Sequence, residues 1–242
     1  MNERNLWMFA GGIGGLVAFS GQVTDLTFGM ITGADASLSA SAAQSFSLLI
    51  NNPLLGLYSL DFLNAILTVI GLVFAFGLYT AIKPKSVWTC RFALILSIMG
   101  TVLMLSVNAA PGMLELAHKY AASADSIQQD YYLAAGEALL VRGAHGSLTA
   151  FSAFVFPLLA NIFFSITMFS NRSFGRVTAI LGLVGHLFMI IYMILVTFIP
   201  AAKEYMMIIV APGGLLAMAW FVRSSLSLLS RKTRAEILLE GK

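Results

Sequence analysis

Strongly polar and ionisable side chains that fall inside long apolar stretches are the residues of this chain best suited to chemistry. Asp61, Asn64 and Thr68 stand at i, i+3 and i+7 within residues 54–82, so on a helix they share one face. The basic turn after that stretch is centred near Ser86. Asn64 lies 22 residues before this turn and Asn108 lies 22 residues after it. In a helical hairpin the two asparagines therefore reach the same level. At about 1.5 Å per residue that level is the outer third of a bilayer. A carboxylate at such depth costs several kcal/mol unless it is paired, and Arg142 or a bound cation is the expected partner of Asp61. With His145 beside Arg142, the candidate ligand-binding set is Asp61, Asn64, Asn108, Arg142 and His145. They would line a cavity opening outward, floored by Asp61, Asn64 and Asn108 and roofed by residues 112–142. A simpler reading of the same residues, together with Asp25, Glu115, His118 and Glu137, is a wetted rim at headgroup level.

A second polar pair lies deeper. Asn161 and His186 flank the turn near Ser173 and Phe174 by 12 to 13 residues each, so they face one another near the midplane. Gly182 and Gly185 beside His186 allow close helix approach. An interhelical hydrogen bond is the simpler reading, and a proton relay the sharper one. Pro157 and Pro212-Gly213-Gly214 are expected to interrupt helical hydrogen bonding, as packing kinks or as the broken helices that line transporter sites.

Catalytic and metal chemistry find little support. His145 lies about 26 residues before the turn that His186 follows by about 12, a difference in level of roughly 20 Å. They cannot share one haem iron. A metal-dependent lipid hydrolase would need His118, His145 and Asp61 or Glu115 to converge at the outer rim, and no zinc-protease spacing or nucleophile elbow is present. One cysteine, Cys90, excludes an internal disulfide and a cysteine-rich metal site. No catalytic residue and no metal ligand is assigned, and the cofactor, if any, is unknown from the sequence.

The elements that must position these residues follow from composition. Of the 242 residues, 59% are hydrophobic and 10% charged, and the mean hydropathy is +0.88. Soluble domains carry about 25% charged residues. A chain with so few cannot cover a globule in water, which excludes a soluble enzyme, a secreted disulfide scaffold, a nucleic-acid-binding domain and a disordered chain. The expected fold class is all-α: a polytopic six-helix transmembrane bundle. Six stretches reach the roughly 20 apolar residues a crossing helix needs: about 6–28, 54–82, 91–112, 145–170, 177–199 and 205–222.

Lysine and arginine fix the expected orientation. With the N-terminus inside, one face collects Arg4, Lys83, Lys85, Arg91, Arg172, Arg176, Arg223, Arg231, Lys232, Arg234 and Lys242, and the other keeps Lys119, Arg142 and Lys203. The bias places both termini in the cytoplasm. The first stretch imitates a signal peptide but reads as a retained span, whose Gly11, Gly12, Gly14 and Gly15 suit tight packing. The expected organisation is one membrane domain, 1–222, followed by a basic amphipathic cytoplasmic tail, 223–242. In the tail, Arg231, Lys232 and Arg234 would meet anionic headgroups or serve as ordinary positive flanking. Outside, 34–52 predicts a short helix in or on the outer leaflet. Ser126 with Gln129 predicts a capping box opening a helix that runs into the fourth span.

Three motifs, Phe174-Gly175-Arg176-Val177-Thr178-Ala179-Ile180-Leu181-Gly182, Ser106-Val107-Asn108-Ala109-Ala110 and Leu133-Ala134-Ala135-Gly136-Glu137-Ala138-Leu139-Leu140, together resemble a bacterial and archaeal family of six-helix integral membrane proteins catalogued as a domain of unknown function. The resemblance implies a prokaryotic, multi-pass protein of the cell (inner, cytoplasmic) membrane and carries no catalytic residue with it. The expected function is non-enzymatic: binding a lipid or hydrophobic small molecule on the outer side, or acting as an accessory subunit. Membrane lipids and a membrane-protein partner or second copy are the expected partners, and nucleic acid is not. A small carrier using Asp61 and His186 is the alternative, and the metal-dependent lipid hydrolase a lesser one.

Overall fold

The structure is a computed structural model and describes residues 3–32, 41–82, 87–143, 147–171, 173–199 and 206–240. All regular structure among these residues is helical: α1 (Glu3–Thr32), α2 (Ala42–Asn51), α3 (Pro53–Ser59), α4 (Phe62–Ile82), α5 (Val87–Val107), α6 (Ala110–Ala122), α7 (Ser126–Gly143), α8 (Leu148–Met168), α9 (Arg176–Phe198), α10 (Met206–Leu229) and α11 (Arg231–Glu240). Six of the helical stretches are long and apolar enough to cross a membrane. The protein is an all-α six-helix bundle.

The six long helices close into a ring. α1 packs on α4, α4 on α5, α5 on α8, α8 on α9 and α9 on α10, and α10 returns to α1. Lipid tails are as apolar as leucine, so contact between such helices has to come from close packing rather than from escape from water. The chain meets this need with small residues. A Cβ on Gly11 of α1 would lie 2.6 Å from the Gly77 Cα of α4, so the two backbones touch where neither has a side chain. Inside the ring Phe74, Trp220 and Phe221 pack edge to face or tilted, with centroids 5.1 to 5.5 Å apart. Such ring pairs add to the area they bury.

Several boundaries depart from the apolar runs. The stretch 54–82 is two helices, broken at Leu60 and Asp61, where Asp61 takes a left-handed φ of 62°. Aspartate tolerates that region better than most side chains. The third stretch breaks at Asn108 and Ala109, and α7 ends at Gly143 rather than running into α8, which opens on the Ser147 cap. At the start of α7 Ile127 N donates to Asp125 Oδ1, at 3.0 Å, while Gln129 Nε2 reaches back to donate to the Ser123 carbonyl. The expected Ser126–Gln129 box is thus replaced by an aspartate cap. Pro157 and Pro212 both sit inside continuous helices. Pro157 is accommodated against Gly100, where a Cβ would lie 2.3 Å from the proline ring. The last span runs on to Leu229, so residues 223–229 belong to α10 and only α11 follows as a separate element.

The short helices α2, α3, α6 and α7 form a cap at one end of the ring. α6 packs on α2 and α7, and α3 joins α2, α6 and the start of α4. The cap has its own core of Phe46, Leu49, Leu60, Met113 and Ala117. Glu137 of α7 accepts a 2.7 Å hydrogen bond from Ala42 N, a carboxylate at the N-terminus of α2.

Candidate functional site

The cap meets the ring at a polar knot built from the two helix breaks and from α1. Asn108, in the α5–α6 break, donates through Nδ2 to the carbonyls of Leu60 and Asp61, at 3.2 and 3.1 Å, and accepts from Ala110 N at 3.2 Å. One side chain thereby ties the two breaks together, meeting the Leu60 carbonyl and Ala110 N at helix ends and sharing the Asp61 carbonyl with Ala65 N. Asn64 Nδ2 donates to Asp61 Oδ1 at 2.6 Å and to Asp25 Oδ2 of α1 at 3.3 Å. Tyr58 donates its hydroxyl to the Asp25 carbonyl at 2.9 Å.

Two carboxylates sharing one amide is the most unusual electrostatic feature of this end. Asp61 lies just outside the α4 span, at its cap end, and burial pushes its carboxyl up to about 6. The Asn64 hydrogen bond works against that rise and the nearby Asp25 charge adds to it. Burial, and then the Asp25 and Asp61 charges, push the Tyr58 hydroxyl up to about 12.

The structure brings Asp61, Asn64 and Asn108 together, with Asp25 and Tyr58 completing the group. Arg142 is not the partner of Asp61. Its Nη2 donates to the Ser106 carbonyl at 3.0 Å, and its own carbonyl accepts from Ser147 and Thr149. Exposed at the end of α7, it serves the α7–α8 joint and reaches the cap end of α5. His145 lies outside the described residues. Asp25 could be placed only at the rim from sequence, and Tyr58 carried no signal. Their approach depends on α1 lying along α4, which hairpin arithmetic between neighbouring spans does not reach.

Asn161 and His186 do meet. Asn161 Nδ2 donates to His186 Nε2 at 3.0 Å, so the ring proton belongs on Nδ1, which donates to the Gly182 carbonyl at 2.6 Å. Both ring nitrogens are engaged and the ring packs on Trp220 at 4.9 Å between centroids. This is a neutral, saturated histidine in an aromatic core. Gly182 makes room for it: a Cβ there would lie 2.4 Å from the Trp220 ring. The geometry is that of an interhelical hydrogen bond.

At the rim, Glu115 pairs with Lys119 at 2.6 Å on the exposed face of α6. Among the described residues no group of three or more His, Cys, Asp or Glu is placed to hold a metal ion. The outer face of α7 is different in kind. Ile127, Tyr131 and Val141 are 62%, 70% and 71% exposed. With exposed Ala134 and Ala138 they recur at helical spacing and form one apolar stripe. Comparison with protein-family models, with curated proteins and with solved structures finds no match.

Proposed function

We propose that this chain is a non-enzymatic protein of the prokaryotic cytoplasmic membrane, with both termini in the cytoplasm, that acts as an accessory subunit docking its outer cap onto a membrane-protein partner. The observation that carries the reading is the α7 stripe of Ile127, Tyr131, Ala134, Ala138 and Val141. It spans about 21 Å at the rise of an α-helix, and contiguous exposed apolar surface marks interaction sites more often than chance. The polar knot supports the same reading, because its hydrogen bonds hold the cap in one pose against the ring. A rigidly held face loses little freedom on docking.

The test is a pull-down of the tagged full chain from its native membrane in mild detergent, with Tyr131→Asp and Val141→Asp beside the wild type. A partner at fixed stoichiometry that both variants lose, while their unfolding transitions match the wild type, is the expected result. Retention of the partner by both variants removes the stripe from the interface. A bound lipid or hydrophobic small molecule, retained by the wild type without any polypeptide, replaces the subunit reading with outer-side ligand binding.

A second reading rests on the Asp25–Asn64–Asp61 group. Two carboxylates on one amide suit a shared proton or a cation, which supports a small carrier. Cation-dependent flux in proteoliposomes, lost on Asp61→Asn, is the result that favours it.

A further inference from the structure

The exposed face of α7 has a finer pattern than an apolar stripe. Ile127, Tyr131, Ala134, Ala138 and Val141 alternate strictly by four and three residues. That spacing is the seam of a left-handed coiled coil, with Tyr131 and Ala138 at heptad position a and Ile127, Ala134 and Val141 at position d. The rest of the helix follows from this frame. Tyr132, Leu133, Leu139 and Leu140 fall at positions b and c and pack against the cap core. Gly136, at position f, is buried against Ala42 and Phe46. The cap thus takes the side of α7 opposite the seam and leaves the seam bare.

The flanking positions carry charge in a pattern that chooses a partner. Asp130 and Glu137 occupy position g, and Gln128, Ala135 and Arg142 occupy position e. All five are exposed. In a parallel pair of such helices, g on one meets e of the following heptad on the other, and these contacts set partner and orientation. A second α7 in register therefore sets Glu137 against the partner's Arg142, and the two-fold repeats the pair. Asp130 meets the partner's Ala135, so no like charges face one another. Antiparallel pairing would instead set g against g, bringing Asp130 to the partner's Glu137. Glu137 uses Oε1 on Ala42 N, and Arg142 uses Nη2 on the Ser106 carbonyl. A carboxylate has a second oxygen and a guanidinium five N–H groups, so each can add a partner.

The mounting of α7 suits the parallel arrangement. It forms a hairpin with α6, Gln129 Nε2 donating to the Tyr120 carbonyl near the turn and Leu139 lying against Gly112 further on. Gly143, its last residue, lies against the Val107 carbonyl at the end of α5. The helix therefore points back toward the ring. Two copies inserted the same way in one membrane are related by rotation about its normal, so their α7 helices point alike. Ala134 and Ala138 in the middle of the seam let the helices approach closely.

We propose that the α7 face is occupied by a second copy of this chain, paired in parallel about a two-fold axis and clasped by two Glu137–Arg142 ion pairs. This pairing rests on the reading of α7 as a docking face and names its occupant.

Single cysteines in the full chain, oxidised in native membranes, test the register. On a parallel two-fold seam each d residue meets its own copy, whereas antiparallel pairing puts 141 opposite 127. Val141→Cys should give a disulfide-linked dimer as its main species. The wild type, whose Cys90 is buried, and Lys119→Cys on the exposed face of α6 should give none. Native mass spectrometry of the gently extracted wild type should find twice the chain mass. Glu137→Gln keeps an acceptor for Ala42 N and loses the charge, and should raise the dimer dissociation constant about fivefold. Tyr131→Asp should give a monomer with an unchanged unfolding transition. Should Val141→Cys fail to fold, Ile127→Cys at the other end of the seam carries the same test. A monomer bound at fixed stoichiometry to a different polypeptide, and released from it by Tyr131→Asp, overturns self-pairing and leaves α7 as a docking face. A monomer with no polypeptide partner overturns both. A dimer without the Val141→Cys disulfide, left intact by Tyr131→Asp and Glu137→Gln, overturns the seam.

Discussion

Replacing Asn108 by alanine tests whether the cap is held by the polar knot or simply rests on the ring. The asparagine donates twice, to the Leu60 and Asp61 carbonyls, and accepts once, from Ala110 N. Each such bond has a net worth of about 1 kcal/mol. The Leu60 carbonyl and Ala110 N lie at helix breaks, whereas the Asp61 carbonyl keeps its bond from Ala65 N. Half-burial of the site lets water recover part of the loss, so the expected cost is about 2 to 3 kcal/mol. Unfolding free energy measured by titration with a denaturing detergent gives the number. Tryptic cleavage at exposed Lys119 of α6 gives the location, since a loosened cap is cut faster while the ring stays intact. Asn108→Asp refines the result: it keeps the acceptor for Ala110 N, loses both donors and adds a third carboxylate beside Asp61 and Asp25. It should cost more than alanine at neutral pH and less near pH 4, where the new carboxyl is protonated and can donate again. A cost below about 0.5 kcal/mol for the alanine variant, with unchanged cleavage, refutes the assignment of cap docking to this side chain.

Two further outcomes follow from the same geometry. Gly11→Ala should destabilise the ring by about 1 to 3 kcal/mol, because the new methyl meets the Gly77 backbone at 2.6 Å, whereas Gly71→Ala, with nothing within 4 Å, should be close to neutral; unfolding free energies of the two variants decide. The Asp61 carboxyl sits at about 6 in the fold, above its value in the unfolded chain, so the folded state binds the extra proton. Its contribution to stability is therefore full below about pH 4, falls as pH rises to about 6 and is flat beyond. Asp25, facing it through Asn64, and Tyr58, which stays protonated across this range, are the neighbouring titratable groups. Asp61→Asn should remove that slope and be the more stable protein at pH 7, and an unchanged pH profile counts against the carboxylate pair.

Much of the architecture was legible because a membrane makes few demands and makes them strictly. Apolar length alone marks six spans, and counting outward from a turn gives depth along adjacent helices. That ruler brings Asn64 and Asn108 to the same residue, Asp61, and sets Asn161 opposite His186. It works because a helix rises by a constant amount per residue, so two arms of a hairpin share a scale.

The ruler has no hold where a helix stops or where partners are not neighbours in sequence. Leu54 to Ile82 reads by hydropathy as one long apolar stretch, yet it breaks at Asp61, where the backbone turns left-handed and the cap needs to fold over the ring. Hydropathy records solvent preference and is silent on φ. Arg142 was matched to Asp61 by charge, but the α7–α8 joint turns it to the Ser106 carbonyl. Asp25 reaches Asn64 because α1 packs on α4, and Arg234 lies over Phe9 because α11 folds back on α1. The sequence by itself determined the solvent, the number of spans and which polar groups of neighbouring arms share a level, each a property of one segment or one hairpin. Which polar groups meet was decided only by closure of the ring, since those contacts join residues that no local spacing relates.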